Sequence, residues 1–508
     1  MHRRFLLPAA LLLAACGAED GASSSDEDLT SNTGAARTLV FDGYVDVAPN
    51  ASDAQVLSAV RRQTQSAFGA LRTANVGVAD RELKEVDPST FKKETLSVVD
   101  GTGKVTGQIQ RVGYRYTTTA VVPKTQAAQS SAPLAVLVGN YQSAADRILG
   151  ECTENSEHDR EFRDSLWYVF NPSLRGCQSA MGKEQAAIEA ARAKLADKQV
   201  ASIEADRLYL PITMQLQPSA ETAKKTFPEY DKLFSGGVKK DTLVIGYVAG
   251  FAADWAAGEK VEPIDDRRFP IWLETLSRVF AARPGWKLVS AEPAGSVSND
   301  EFQELVADHE GQKTLDRARK IALGQKAIQH WLTFQVPVQV SVGGAPAKAF
   351  TIEMQTYFGA GSEKAPYKRA VKTSDVFLYA GHSYIGYGPL DPSNFTAADF
   401  PSTYQLFFVN GCVSFNYYDR GYWKVKEGGS KTLDTVTNAI ETPQYGSGEG
   451  AGRFLAELVS GKNGSYADLL TAAQFDYQVG AWGRDGLRVV DGEQDNTFDP
   501  AKTPVTVK

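Results

Sequence analysis

The chain has 508 residues, which is more than one ordinary domain needs, so two or three folded units are expected. Its formal net charge is −7, and the acidic and basic residues are spread along the chain. This charge argues against a nucleic-acid partner, because such a partner usually demands a basic patch.

The N-terminus has the pattern of a bacterial export signal. Basic residues precede a short apolar stretch within residues 1–16, and that stretch is too short to span a bilayer. The residues that end in Cys16 resemble the lipobox of bacterial lipoproteins. This resemblance implies cleavage before Cys16 and a lipid on its thiol, and Gly17 favours anchoring in the outer membrane, on its periplasmic or surface face. An ordinary signal peptide cleaved nearby is the alternative.

Residues 17–37 are rich in Ser, Gly, Ala and acidic side chains and contain few apolar ones, so they are predicted to form a flexible tether. No later run is long and apolar enough for a membrane helix. We therefore expect a soluble body whose contact with a membrane is made through the lipid alone.

Residues 38–215 are predicted to form an α+β unit, acting as an accessory domain, a binding domain or a pro-segment. Aromatic and β-branched residues predict strands at 38–47, 108–122, 133–138 and 207–215. A helix is expected to start after Ser52 and run to about Leu71, and an Ala-, Glu- and Lys-rich helix covers 182–198.

The chain has four cysteines, and an exported protein meets an oxidising compartment. Cys16 is assigned to lipid. Cys152 and Cys177 bracket one segment and form a candidate disulfide, worth on the order of 3 kcal/mol. Cys412 is then left as a free thiol, although a disulfide between Cys412 and either of the two remains open.

Residues 240–490 are predicted to form an α/β unit with a mostly parallel sheet flanked by helices. The continuous apolar run 243–249 is typical of a strand buried on both faces. Further elements are expected in chain order: helices at 270–283 and 314–332, a hairpin over 334–354 that turns at Gly343 and Gly344, two apolar strands before residues 382 and 412, and short helices at 453–459 and 466–473. The stretch 445–450, with its Gly-Ser-Gly sequence, follows no clear strand and is predicted to be a flexible loop.

Two apolar segments each end in a reactive side chain. The segment 375–383 delivers His382, and the segment 404–414 delivers Cys412. If both are neighbouring parallel strands, the thiol and the imidazole emerge at the same carboxyl edge, which is where open α/β sheets place their ligands. Together they are the minimum set for a cysteine nucleophile, and the N–H groups of Ser383 and Cys412 could stabilise an oxyanion.

The same segments carry a resemblance. Residues 377–383 (Phe-Leu-Tyr-Ala-Gly-His-Ser) and 406–414 (Leu-Phe-Phe-Val-Asn-Gly-Cys-Val-Ser) resemble the His and Cys blocks of caspase-like cysteine peptidases, including metacaspases. The resemblance implies a caspase–haemoglobinase fold, His382 as general base and acid, Cys412 as nucleophile, and peptide bond hydrolysis through a thioester acyl-enzyme. The implied partner is a peptide or protein substrate, and no cofactor or metal is expected.

The family pattern has glycine after the histidine, whereas this chain has Ser383. The alternative hypothesis is therefore a binding lipoprotein that keeps the fold but has lost turnover, and a substrate-binding protein of an uptake system is a weaker third. Asp391 and Asp399 lie between the two segments and could line a pocket for basic side chains. Solvated loop carboxylates are the favoured interpretation of both.

Overall fold

A computed structural model describes residues 29–80, 83, 86–154, 160–219, 225–252, 261–418, 420–442, 447–474 and 486–508. The predicted signal peptide, Cys16 and the first part of the tether lie outside these residues. None of the helices in the described ranges is both long and apolar enough to cross a membrane.

The structure is a mixed α/β fold with two multi-stranded sheets. The first sheet has the strand order β5-β7-β1-β4-β3-β6, with β2 also paired to β4, and its pairs are antiparallel except β3 with β6. Its strands are β1 Gly34–Val47, β2 Gly77–Val78, β3 Lys92–Val99, β4 Val105–Pro123, β5 Ser131–Leu137, β6 Gln199–Ala201 and β7 Tyr209–Pro218. The helices of this region are α1 Asp53–Gln65, α2 Ala67–Thr73, α3 Ala145–Glu151, α4 Leu166–Val169, α5 Arg175–Arg192 and α6 Ser202–Ala205.

The predicted strands of this region are confirmed, with shifted ends. The strand β1 begins at Gly34, inside the range predicted to be a tether. The predicted helix after Ser52 is present, and Ser52 forms a capping box with Gln55, but the helix is divided into α1 and α2 at Ser66. The candidate disulfide is also confirmed, because Cys152 and Cys177 are bonded and Cys412 is free.

The second sheet has the strand order β15-β14-β13-β12-β8-β11-β10-β16, with β9 also paired to β10. Five neighbouring strands, β14, β13, β12, β8 and β11, run parallel, and the remaining pairs are antiparallel. Its strands are β8 Thr242–Gly250, β9 Lys287–Glu292, β10 Trp331–Val342, β11 Lys348–Gly359, β12 Val376–Ala380, β13 Gln405–Asn410, β14 Leu433–Asn438, β15 Arg488–Asp491 and β16 Val505–Val507. The helices are α7 Tyr230–Leu233, α8 Phe269–Ala282, α9 Asn299–His309, α10 Arg317–Ala327, α11 Lys364–Thr373, α12 Ser414–Tyr418, α13 Ser447–Leu458 and α14 Tyr466–Ala473.

Helices cover both faces of this parallel sheet, as the apolar run of β8 predicted. On one face, Tyr247 packs with Trp272 of α8 and Phe454 of α13. On the other face, Val248 belongs to a cluster that also contains Tyr367 of α11 and continues into apolar residues of the first sheet. The hydrophobic cluster on this second face is therefore shared by the two sheets.

Two sequence predictions are wrong in this region. The helix predicted over 314–332 ends at Ala327, and Leu332 lies in strand β10. The Gly-Ser-Gly stretch is no loop where the structure describes it, since residues 447–450 form the first turn of α13. Gly448 in this turn allows α13 to pack closely on α8, because a Cβ on Gly448 would lie 2.5 Å from the Ile271 carbonyl oxygen of α8.

Candidate active site

The strands that precede His382 and Cys412 are direct neighbours. β12 and β13 pair in parallel from Val376 opposite Leu406 to Ala380 opposite Asn410, so both segments leave the sheet at the same edge. The chain also turns to opposite sides of β8 when it forms β11 and β12, which places a topological switch point at this edge. The predicted juxtaposition of the two segments is confirmed.

The two turns that carry these residues are in contact. A Cβ on Gly411 would lie 2.7 Å from Ser383 Oγ and 3.2 Å from the Gly381 carbonyl oxygen. The Ser383 hydroxyl donates a hydrogen bond to the Cys412 carbonyl oxygen, and this bond links two turns that are far apart in the sequence. Glycine is therefore required at position 411 for close approach.

The His382 ring is oriented by a backbone carbonyl. Its Nε2 lies 3.1 Å from the carbonyl oxygen of Ala252, just beyond β8. A carbonyl only accepts, so Nε2 carries the proton and the lone pair of the neutral ring is on Nδ1. Burial lowers the pKa of His382 to about 4, and the positive charge of Arg268 acts in the same direction. The ring is therefore neutral at pH 7 and able to accept a proton.

The Cys412 thiol has a separate acceptor. Its Sγ donates to the Thr442 carbonyl oxygen at 3.7 Å. Burial raises the pKa of the thiol, and the charge of Glu441 adds to the rise. Within the described residues, His382 and Cys412 do not hydrogen-bond to each other. The resting pair thus consists of a protonated thiol and a neutral imidazole, each held by its own carbonyl.

The predicted oxyanion donors are available. In the described part of the chain, neither the Ser383 N–H nor the Cys412 N–H donates a hydrogen bond. Ser383 has φ −79° and ψ −9°, an ordinary helical conformation, so its Cβ causes no backbone strain at the position where the family pattern has glycine. The strain lies next to it, at Ile385 with φ 46°, and after the cysteine, at Val413 with φ 53°. Both are β-branched residues, for which this conformation is unfavourable and typical of functional sites.

Asn438 supports the cysteine turn and was not predicted from the sequence. It ends β14, and its side-chain amide donates to the Gly411 carbonyl oxygen at 3.1 Å and to Asn410 Oδ1 at 3.0 Å. The sequence signal was a polar residue at the end of a strand, but β14 itself was not predicted.

Asp391 and Asp399 close local turns. Asp399 accepts from the Thr396 N–H at 2.8 Å and pairs with Lys368 Nζ at 3.0 Å, and Asp391 accepts from the Ser393 N–H at 2.9 Å. These contacts support the interpretation as loop carboxylates and give no support to a pocket for basic side chains.

Arg268 is a buried cation beside the site. It precedes α8 and is 7% exposed. Its side chain makes no hydrogen bond or ion pair with the residues that the structure describes, and its Nε is fully buried without a partner. Its charge lowers the pKa of both His382 and Cys412. Sequence analysis missed Arg268, and the pair of arginines before Pro270 is the only signal that pointed to it.

Within the described ranges, no three His, Cys, Asp or Glu side chains are grouped so that they could hold a metal ion. No protein-family model matches the chain, and no curated protein or solved structure matches it significantly.

Proposed function

We propose that the chain is an exported, lipid-anchored cysteine peptidase of caspase-like fold, with Cys412 as nucleophile and His382 as general base and acid. The observation that carries the proposal is the exit of both residues from neighbouring parallel strands, beside two N–H groups without an acceptor. A nucleophile, a base oriented by a third group and an oxyanion site are the parts that acyl transfer needs.

The proposed reaction has two steps. In the first, Cys412 Sγ attacks the peptide carbonyl carbon while His382 Nδ1 takes the thiol proton, and the N–H groups of Ser383 and Cys412 bind the oxyanion. The intermediate collapses to a thioester, and the imidazolium gives its proton to the departing amine. In the second step, water loses a proton to His382 and attacks the thioester; the intermediate collapses to the carboxylic acid, and the imidazolium returns its proton to Cys412 Sγ. The Ala252 carbonyl stabilises the imidazolium through Nε2–H in both steps.

Covalent labelling tests this proposal. A thiol-directed peptidyl electrophile should modify wild-type protein at Cys412, and His382→Ala should slow the modification by roughly 100-fold, because the base is lost. The adduct is located by mass spectrometry of tryptic peptides. His330→Ala is the matched control, since His330 bonds to its local helix end through the Lys326 carbonyl oxygen and to no other residue that the structure describes. Equal labelling of wild type and His382→Ala would disprove activation by His382.

A second candidate is a binding lipoprotein without turnover. The separate carbonyl acceptors of His382 and Cys412, together with the raised pKa of the thiol, favour this function. It predicts saturable peptide binding to the wild-type protein with no adduct at Cys412. The labelling experiment therefore separates the two candidates.

Arg268 favours substrates with an acidic side chain next to the cleaved bond. An unpaired buried charge is costly, whereas a carboxylate brought into the same site forms a charge-assisted pair shielded from water. Asp391 and Asp399, the carboxylates considered for the opposite preference, are engaged in local turns.

Two peptide substrates test this preference: they are identical except that the residue before the cleaved bond is Asp in one and Asn in the other. We expect wild-type protein to hydrolyse the Asp peptide at least about tenfold faster, since hydrogen bonds to charged groups contribute about 1.5–3 kcal/mol. In Arg268→Gln the ratio of kcat/KM for the two peptides should fall towards one. The neighbouring Arg267 is exposed, and Arg267→Gln should keep the ratio. An unchanged ratio in Arg268→Gln would rule out this role.

A further inference from the structure

The unit built on the first sheet lies directly against the cysteine turn. A Cβ on Gly77 of β2 would be 2.6 Å from the Cβ of Ala439, which follows β14. The rings of Phe68 on α2 and Tyr417 on α12 are stacked with centroids 6.1 Å apart. Helix α2 and strand β2 therefore pack on the two segments that flank Cys412.

One ion pair links this unit to the carbonyl that holds the thiol. Arg72, near the end of α2, donates through Nη1 to Glu441 Oε1, and its guanidinium lies 4.7 Å from the ring centroid of Tyr168. The side chain of Arg72 is only 16% exposed. Glu441 directly precedes Thr442, whose carbonyl oxygen accepts from Cys412 Sγ at 3.7 Å.

We propose that Arg72 is a positioning residue of the active site, which holds Glu441 and thereby keeps the Thr442 carbonyl on the Cys412 thiol. This inference rests on the proposed function, and it makes the unit of the first sheet part of the site. A pro-segment that is removed to release activity would not fit this role, because its loss would free Glu441 beside the thiol.

The Arg72–Glu441 ion pair has a second effect, because both of its charges act on the pKa of the Cys412 thiol. Glu441 raises the pKa of Cys412, whereas Arg72 and Arg268 lower it, so Arg72 offsets the effect of its own partner. Removal of Arg72 alone would leave the carboxylate of Glu441 uncompensated. The titratable and charged groups whose charges act on Cys412, or on which its charge acts, come from several elements: Arg72 from α2, Tyr168 from α4, Arg268 from the start of α8, Tyr417 from α12 and Glu441 from the segment after β14.

Alkylation of Cys412 by iodoacetamide tests the inference. The reagent is small and needs no substrate pocket, and the rate constant as a function of pH gives the pKa of the thiol. In the full chain, modification is followed on the tryptic peptide that contains Cys412. Arg72→Gln should raise the thiol pKa and slow alkylation at pH 7.5 by about 3- to 10-fold, as expected for one partly buried charge. Glu441→Gln should accelerate it, and the double variant should return to within about twofold of wild type.

The controls separate this inference from the proposed function. Arg115 pairs with Asp42 on the exposed face of the first sheet, so Arg115→Gln removes a similar ion pair and should leave the alkylation profile unchanged. An unchanged profile in Arg72→Gln would overturn the role of Arg72 even if the peptidyl electrophile labels Cys412. Failure of that electrophile, with the expected iodoacetamide profiles, would overturn the peptidase alone. If Arg72→Gln does not fold, Glu441→Gln decides, since acceleration supports the inference and an unchanged rate contradicts it.

Discussion

The variant His382→Gln should lower kcat for peptide hydrolysis by roughly 10³-fold, because general acid–base catalysis by one positioned group contributes about 10²- to 10⁴-fold. The thiol of this chain is protonated at rest, since burial raises the pKa of Cys412. Attack therefore needs a base in every turnover. Glutamine can still donate towards the Ala252 carbonyl but has no basic nitrogen, so the variant isolates the proton transfer from the orientation of the turn.

The pH dependence of peptide hydrolysis by the wild-type protein should identify the same base. Because the pKa of His382 is lowered to about 4, we expect the acid limb of the kcat/KM profile near pH 4, well below the usual histidine value of 6.5. His382→Gln should lose this limb along with most of the rate. A wild-type limb between pH 6 and 7, measured with a substrate that does not itself titrate there, would contradict the buried neutral ring.

The free energy of unfolding should also depend on pH through the ionisation of His382. The folded pKa of His382 is about 4 and the unfolded value is 6.5, so the unfolded chain takes up the proton first as the pH falls. The free energy of unfolding should therefore decrease by about 3 kcal/mol between pH 6.5 and 4 through this residue. Urea unfolding measures this contribution: between pH 6.5 and 4 wild type should lose about 3 kcal/mol relative to His382→Gln, and the relative loss should stay constant below pH 4.

The sequence was sufficient for the part of the fold that depends on local patterns. The apolar run of β8, the Gly343–Gly344 turn and the two strands before His382 and Cys412 are each read from neighbouring residues, and all are present. The cysteine count and spacing favoured the Cys152–Cys177 disulfide but left pairings with Cys412 open, and the structure decides between them. Because the two strands run parallel, His382 and Cys412 were then expected at the same edge of the sheet.

The parts that could not be predicted depend on contacts between distant segments. Nothing local distinguishes Arg268 from its exposed neighbour Arg267, and only the packing of the start of α8 buries one of them. The acceptor for His382 is a backbone carbonyl at Ala252, which has no sequence signal at all. The glycines of α13 were read as a loop signal, because the close approach of α8 that requires them is a tertiary property.

The substitution Gly411→Ala should distort the cysteine turn. The added Cβ would lie 2.7 Å from Ser383 Oγ, closer than such atoms approach, so the turn or the serine must move. We expect a loss of about 1–3 kcal/mol in the free energy of unfolding, as for other overpacked positions. Labelling of Cys412 by the peptidyl electrophile should fall about 100-fold, because displacement of the turn moves both the thiol and the Cys412 N–H.

A double variant separates the steric cause from a general loss of folding. Ser383→Ala removes the atom that the new methyl group meets, and the remaining neighbour, the Gly381 carbonyl oxygen at 3.2 Å, is tolerable. The double variant Gly411→Ala/Ser383→Ala should therefore recover most of the stability and labelling that Gly411→Ala loses, with a coupling energy of about 1–2 kcal/mol. Gly182→Ala is the matched control, since nothing lies within 4 Å of the added Cβ in helix α5 and a small gain in stability is expected there. Additive losses in the double variant would mean that position 411 acts through its backbone alone and that Ser383 does not hold the two turns together.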